Sequence, residues 1–201
     1  MPPRLLYLAR HGETDWNAAG RWQGQTDVPL NQKGRTQALA LAETLRHAGL
    51  AAIVSSTLAR ASETARLVAD ELRLAIDYFD PDLQERSLGV FDGLTREECE
   101  TQHPQAWQEW LDQRRPPSGA EAEHDLAVRV TGAIGRAVDR FASHTAPILI
   151  VTHGGAIRAS VAAAIGQTPP PIPNCGVWNV EWDRGIVRAF ASPLPVRPRT
   201  C

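Results

Sequence analysis

Four short apolar runs constrain this 201-residue chain more than any other feature: "RLLYLAR" at 4–10, "AAIVSS" at 51–56, "LAIDYF" at 74–79 and "PILIVT" at 147–152. Each reads as a short strand, and the first, with apolar residues at consecutive positions instead of alternate ones, as one buried on both faces. Helical periodicity fills the gaps between them. Asn31 is placed to cap a helix whose Ala38, Leu41, Ala42 and Leu45 share one face and which stops near Gly49. Ala61, Ala65, Val68 and Leu72 mark a second helix, and Leu126, Val130, Ile134, Ala137 and Phe141 a third. "HGGAIRASVAAAI" runs straight out of the fourth strand as another. Strands that alternate with helices predict a mainly parallel sheet covered on both sides, a three-layer α/β/α sandwich.

The remaining segments fit around this frame as one domain over residues 1–201. Between "LAIDYF" and about Gly119 there is no strand signal. The pattern T-x-x-E at Thr95 and Glu98 opens a helix expected to carry Trp107 and Trp110, so a short helical lid is predicted over about 94–120. "VWNVEW" and "IVRAF" read as two final strands about a turn at Asp183–Gly185, with an exposed edge on which two copies would pair as a homodimer. The loop "TPPPIPN" and the Pro-rich tail after Phe190 read as irregular.

Composition removes several classes of function. Twenty-one basic and 23 acidic side chains give a net charge of -2, without the basic excess of a nucleic-acid binder. No apolar run is long enough to span a bilayer and no signal segment opens the chain, so the expected location is the cytoplasm, with no membrane partner. Cys99, Cys175 and Cys201 are scattered and odd in number, and are expected as reduced thiols.

The chemistry gathers at the strand ends. His11 follows the first strand and Gly12 follows it; His153 follows the fourth strand and is followed by Gly154 and Gly155. Ligands of open parallel sheets bind beyond the carboxyl ends of the strands, so both rings are expected in one crevice. Arg10 adjoins His11, and Arg60 opens the helix after the second strand. Two guanidinium forks, two imidazoles and a glycine-rich helix N-terminus suit the oxygens of a phosphate, with Asn17 and Gln23 as neutral donors. Guanidinium groups repel a cation, so no metal is expected. The H-x-E of His11 and Glu13 lacks the P-C-x-x-C of zinc deaminases, and neither a P-loop nor a G-x-S-x-G elbow is present.

"LARHGETDWN" followed by "GRWQGQTDVPLNQKGRTQA", then "SSTLARASETA", "LQERSLGVFDG" and "VTHGG", resembles the histidine phosphatase superfamily in its phosphoglycerate mutase-like branch. The resemblance implies that His11 is a nucleophile that accepts the phosphoryl group. It implies that Arg10, Arg60 and His153 bind phosphoryl oxygens with Asn17, Gln23, Gly24 and Gly154, and that Glu85 is the proton donor. Glu13 is then expected to brace the His11 ring or to pair with an arginine. Asp92 stands where the family often has a longer Glu or Gln, and "SGAEAEHD" replaces a G-G-E-S while keeping its acid as Glu121.

Phosphatases and mutases of this family share the phosphohistidine step and differ in what attacks next. The lid of this chain is short, which favours water and hence a metal-independent phosphatase of small phosphomonoesters. The alternatives are a phosphoglycerate mutase using 2,3-bisphosphoglycerate as cofactor, and a non-catalytic phosphate-binding regulatory protein. Arg114 and Arg115, in "DQRRPPSG", are similar to the paired arginines that hold a substrate carboxylate or second phosphate in mutases; equally, they are a basic pair at the negative end of a helix.

Overall fold

The computed structural model describes residues 3–113, 115–183 and 186–194. Its elements in chain order are β1 (Arg4–Arg10), α1 (Asp15–Ala18), α2 (Gln32–Leu45), β2 (Ala52–Ser56), α3 (Ala59–Leu72), β3 (Tyr78–Asp80), α4 (Arg96–Gln102), α5 (Pro104–Gln113), α6 (Glu123–Arg140), β4 (Ile148–Thr152), α7 (Gly154–Ile165), β5 (Val177–Asp183) and β6 (Ile186–Leu194). The strands form one sheet in the order β3-β2-β4-β1-β5-β6. The first four in that order are parallel, and β5 and β6 add an antiparallel edge.

The alternation of the pleat sorts each central strand between two cores. Leu6, Leu8, Val54, Ile148 and Ile150 face α6 and α7, with Trp178 and Val180 from β5. Ala9, Ile53, Leu149 and Val151 face α2 and α3. A third, smaller core of Phe91, Cys99 and Trp107 lies inside the lid, against Trp22 and Trp110. Among the described residues no helix is long and apolar enough to cross a membrane.

Three local expectations change. The third strand is only Tyr78–Asp80; Asp77 instead turns its carboxylate to the Ile53 N–H at 2.8 Å. The lid helix is two helices. Thr95 and Glu98 form the expected capping box, but α4 stops at His103 because Pro104 cannot continue it, and both tryptophans ride on α5. β6 reaches Leu194, so the chain is still a strand beyond Phe190; the turn at residues 184–185, residues 195–201 and Arg114 lie outside the described residues.

Gly12 serves close approach, not a left-handed turn. A Cβ there would sit 2.5 Å from the Gly34 carbonyl oxygen, and a Cβ on Gly34 would sit 2.1 Å from the Glu13 carbonyl oxygen. The first turn of α2 therefore docks backbone to backbone on the chain leaving β1, and the Asn31 N–H donates to the Glu13 carbonyl at 3.0 Å. Gly→Ala inside a helix normally stabilises by up to about 1 kcal/mol. Gly34→Ala is expected to do the reverse, destabilising by about 1–3 kcal/mol through overpacking. Chemical denaturation measures this, and a variant at least as stable as the parent would contradict the contact.

Candidate active site

The sheet register builds the site. Arg10 on β1 pairs with Thr152 on β4, and Ser55 on β2 pairs with Val151. Three parallel strands thus end at one level, and the next residue of β1 and of β4 is a histidine. The His11 N–H donates to the Thr152 carbonyl at 3.0 Å, and the two imidazole centroids lie 5.2 Å apart. Both rings are buried, His11 at 3% and His153 at 0% exposure.

Each ring has one nitrogen committed. His11 Nδ1 lies 2.7 Å from the Gly12 carbonyl oxygen. A carbonyl only accepts, so Nδ1 carries the proton and the lone pair of the neutral ring is on Nε2. Burial, then the charges of Arg60 and Arg10, hold the His11 pKa well below the ordinary 6.5, against a smaller opposite pull from the Gly12 carbonyl. Burial, Arg60, His11 and Arg10 do the same to His153. His153 Nε2 meets the Ser56 hydroxyl at 2.9 Å.

The arginines are fixed through backbone carbonyls. Arg60, fully buried, donates to the Thr26 and Gly24 carbonyls at 2.8 and 2.7 Å. Arg10 donates to the Ile172 carbonyl at 2.8 Å. Arg10 Nε, Arg60 Nε and His153 Nδ1 remain buried without a hydrogen-bond partner. Three such nitrogens around one crevice are an unmet demand for an acceptor. Asn17 Oδ1 is taken by the Thr14 N–H and by Asn174 Nδ2, both at 3.2 Å, and Gln23 Oε1 by the Thr14 hydroxyl at 3.0 Å. Both amides thus keep their NH2 donors for a ligand. Gly24 has φ of +50°, and its missing side chain leaves room for Asp92, whose carboxylate accepts the Leu88 N–H at 3.1 Å. Gly154 lies under the Arg10 side chain, where a Cβ would touch Arg10 Cδ at 3.4 Å.

The N-terminus of α7 attracts an anion, and the anion it holds is Glu85. Its carboxylate accepts the Gly155 and Ala156 N–H groups at 2.9 and 3.0 Å and the Arg86 N–H at 2.9 Å. A Cβ on Gly155 would lie 2.4 Å from Glu85 Oε1, which accounts for the second glycine. Glu13 does not brace His11, and its partner is no arginine: it pairs with Lys33 at 2.7 Å and accepts from Asn31 at 3.1 Å, away from the ring. Arg115 pairs with Glu109 at 3.3 Å on the exposed side of the lid.

Three supporting residues are given no role by the sequence. Arg129 donates to the Asp82, Gln84 and Glu85 carbonyls at 2.7–2.9 Å while Glu121 grips its other edge at 2.6 and 2.8 Å. Glu121 thus stabilises the Glu85 segment through Arg129. Asn174 Nδ2 donates to the His11 carbonyl at 3.1 Å, and the Cys175 N–H joins it at 3.2 Å from a left-handed backbone, φ 55°. The proline-rich loop therefore clamps both Arg10 and His11. Ser56, at the end of β2, is the one that the strand-end rule could have found.

Because a lowered pKa keeps the rings neutral, the His11 ring resonances should show no proton uptake near pH 6.5 in an NMR titration of the free protein. The unfolded chain does take up protons there, so folding stability should fall as pH drops below about 6.5. A ring midpoint at or above 6.5 would contradict the site. Asn174→Ala should lower kcat by about tenfold to a hundredfold by loosening His11; unchanged kcat would remove Asn174 from the account.

Comparison with known proteins agrees with this geometry. A glucosyl-3-phosphoglycerate phosphatase of Mycolicibacterium vanbaalenii is 36% identical, over 96% of this chain and 89% of the relative. A probable phosphoglycerate mutase GpmB of an Enterobacter species is 38% identical, over 88% and 84%. A mycobacterial glucosyl-3-phosphoglycerate phosphatase solved with VO3 superposes with a TM-score of 0.83 at 32% identity, covering 94% of this chain and 97% of that one. Residues 6–189 match the histidine phosphatase superfamily, branch 1, and the chain belongs to that family.

Proposed function

We propose that the protein is a metal-independent phosphatase that hydrolyses small phosphomonoesters of the cytoplasm through a phosphohistidine on His11. The observation that carries this reading is the neutral His11 ring, with its lone pair on Nε2, beside two arginines and three buried nitrogens without acceptors. Nε2 attacks phosphorus, the P–N bond forms and the ester P–O bond breaks. Charge on the equatorial oxygens is met by Arg10, Arg60 and His153, with Asn17 and Gln23 adding neutral donors. Glu85, which takes up a proton as the ester binds, passes it to the leaving oxygen. Water then attacks the phosphoryl group, Glu85 takes the proton that the water loses, and phosphate leaves with His11 restored. Two fixed guanidinium charges supply what a metal would otherwise supply.

The mutase reading has the GpmB relative in its favour. Incubation with 3-phosphoglycerate, with and without 2,3-bisphosphoglycerate, separates the two. Phosphate release in both cases is expected, unaffected by EDTA. Rapid, cofactor-dependent 2-phosphoglycerate without released phosphate would contradict it, and release no faster than from His11→Ala would favour a non-catalytic binder. Glu85→Gln should lower kcat by about 10²–10⁴ for alkyl phosphates. The loss should be smaller for p-nitrophenyl phosphate, whose leaving group departs without a proton. Equal losses for both esters would deny Glu85 the role of acid.

A further inference from the structure

The lone pair on His11 Nε2 depends on one backbone oxygen, the Gly12 carbonyl, which accepts the Nδ1 proton at 2.7 Å. That oxygen belongs to the peptide between Gly12 and Glu13, a planar trans unit whose carbonyl and N–H point in opposite directions. Whatever holds the N–H therefore aims the carbonyl. Gln37 on α2 holds it: the Glu13 N–H donates to Gln37 Oε1 at 2.8 Å. An N–H only donates, so the Gln37 amide turns its oxygen to the peptide.

The groups on either side of this peptide are fixed by other partners. The Gly12 N–H donates to the Thr64 hydroxyl at 3.0 Å, and that hydroxyl donates to the Arg60 carbonyl at 2.7 Å. The Asn31 N–H donates to the Glu13 carbonyl at 3.0 Å. Between these anchors the 12–13 peptide keeps one freedom, rotation of its plane about the line joining its two Cα atoms. Gly12, without a Cβ, permits that rotation on its side. The rotation would swing the carbonyl away from His11 Nδ1. Gln37 is placed to stop it, because Gly34 and Gln37 lie three apart and share the face of α2 that docks on this chain. The Glu13 side chain takes no part, since its carboxylate is held by Lys33 and Asn31.

We infer that Gln37 is a positioning residue for the nucleophile: it acts on His11 through the 12–13 peptide and locks the ring in its Nδ1–H tautomer. A peptide that donates its N–H is also a better acceptor at its carbonyl, because hydrogen bonds in a chain polarise one another. The chain runs from Gln37 Oε1 through the Glu13 N–H and the Gly12 carbonyl to His11 Nδ1–H. No proton moves along it; it holds the proton on Nδ1 and leaves the electron pair on Nε2. Without the Gln37 oxygen the ring is free to carry its proton on Nε2, and that tautomer has no lone pair for phosphorus. The catalytic consequence rests on the reading of His11 as the nucleophile, whereas the tautomer lock is a property of the resting protein.

NMR of the ring nitrogens in the full-length protein at about pH 8, where the imidazole is neutral, reads the lock directly. In the wild type one His11 nitrogen should resonate as protonated and the other as unprotonated. Gln37→Leu should draw the two resonances toward each other as the tautomers mix. Gln37→Glu keeps an acceptor and strengthens it by charge, so it should hold the two apart and move the Nδ1–H proton further downfield than in the wild type. Gln37→Leu should also lower kcat/KM for p-nitrophenyl phosphate by about tenfold to a hundredfold. The inhibition constant of inorganic phosphate should stay within about twofold, since Arg10, Arg60 and His153 are untouched. A residue that only packs α2 would move stability and leave the tautomer alone. Ring nitrogens that stay apart in Gln37→Leu, or an Nδ1–H resonance unmoved in Gln37→Glu, would overturn the lock, and the second reading decides if Gln37→Leu does not fold. Mixed tautomers in Gln37→Leu with no phosphate release by the wild type would sink the phosphatase reading and keep the lock. Release lost in Gln37→Leu with the tautomer unmoved would sink the lock alone.

Discussion

The hydrogen bond from the His11 ring to the Gly12 carbonyl, made inside a buried crevice beside two arginines, is the interaction on which the rest depends. It assigns the proton to Nδ1 and the lone pair to Nε2. Burial and the two guanidinium charges then stop a second proton from arriving. In the proposed reaction, the same charges that keep the ring neutral meet the transferred phosphoryl group, so one arrangement would both activate the ring and attract its target.

Most of the surrounding structure holds that arrangement still. Glycines at 12 and 34 let α2 dock on the chain leaving β1, and the proline-rich loop clamps the His11 carbonyl from the other side. Arg60 gives two of its donors to backbone carbonyls, and its own fixity is the result. Glu85 is set in the same manner: α7 offers it two N–H groups, and Arg129, locked by Glu121, binds the backbone that carries it. The lid is stitched to the segment after α1 as well. Arg21 forms a two-point ion pair with Glu98 at 2.5 and 2.7 Å, and Trp22 packs among Phe91, Trp107 and Trp110.

The parallel core was legible because a strand buried on both faces leaves continuous apolar runs, and the meeting of His11 with His153 followed from where such strands end. The assignment of Glu85 rested on a motif, since nothing in its spacing says that it will fill a helix N-terminus some 70 residues later in the chain. Glu13 was misread for a related reason: its neighbours in space, Asn31 and Lys33, come from the start of α2, and proximity to His11 in sequence does not place it against the ring. The split of the lid helix at His103 was available from Pro104, a local rule outweighed by the capping signal before it. Asn174 and Arg129 were invisible because their partners are set by tertiary packing alone.

The central claim is that phosphoryl transfer passes through a P–N bond on Nε2 of His11. Mixing enzyme with excess ester, quenching in alkali within the first turnovers and mapping the peptides by mass spectrometry tests it directly. The peptide containing His11 should carry one phosphoryl group that disappears on acid treatment. Steady phosphate release with no phosphorylated His11 peptide, or a phosphoryl group on any other residue, would contradict the account.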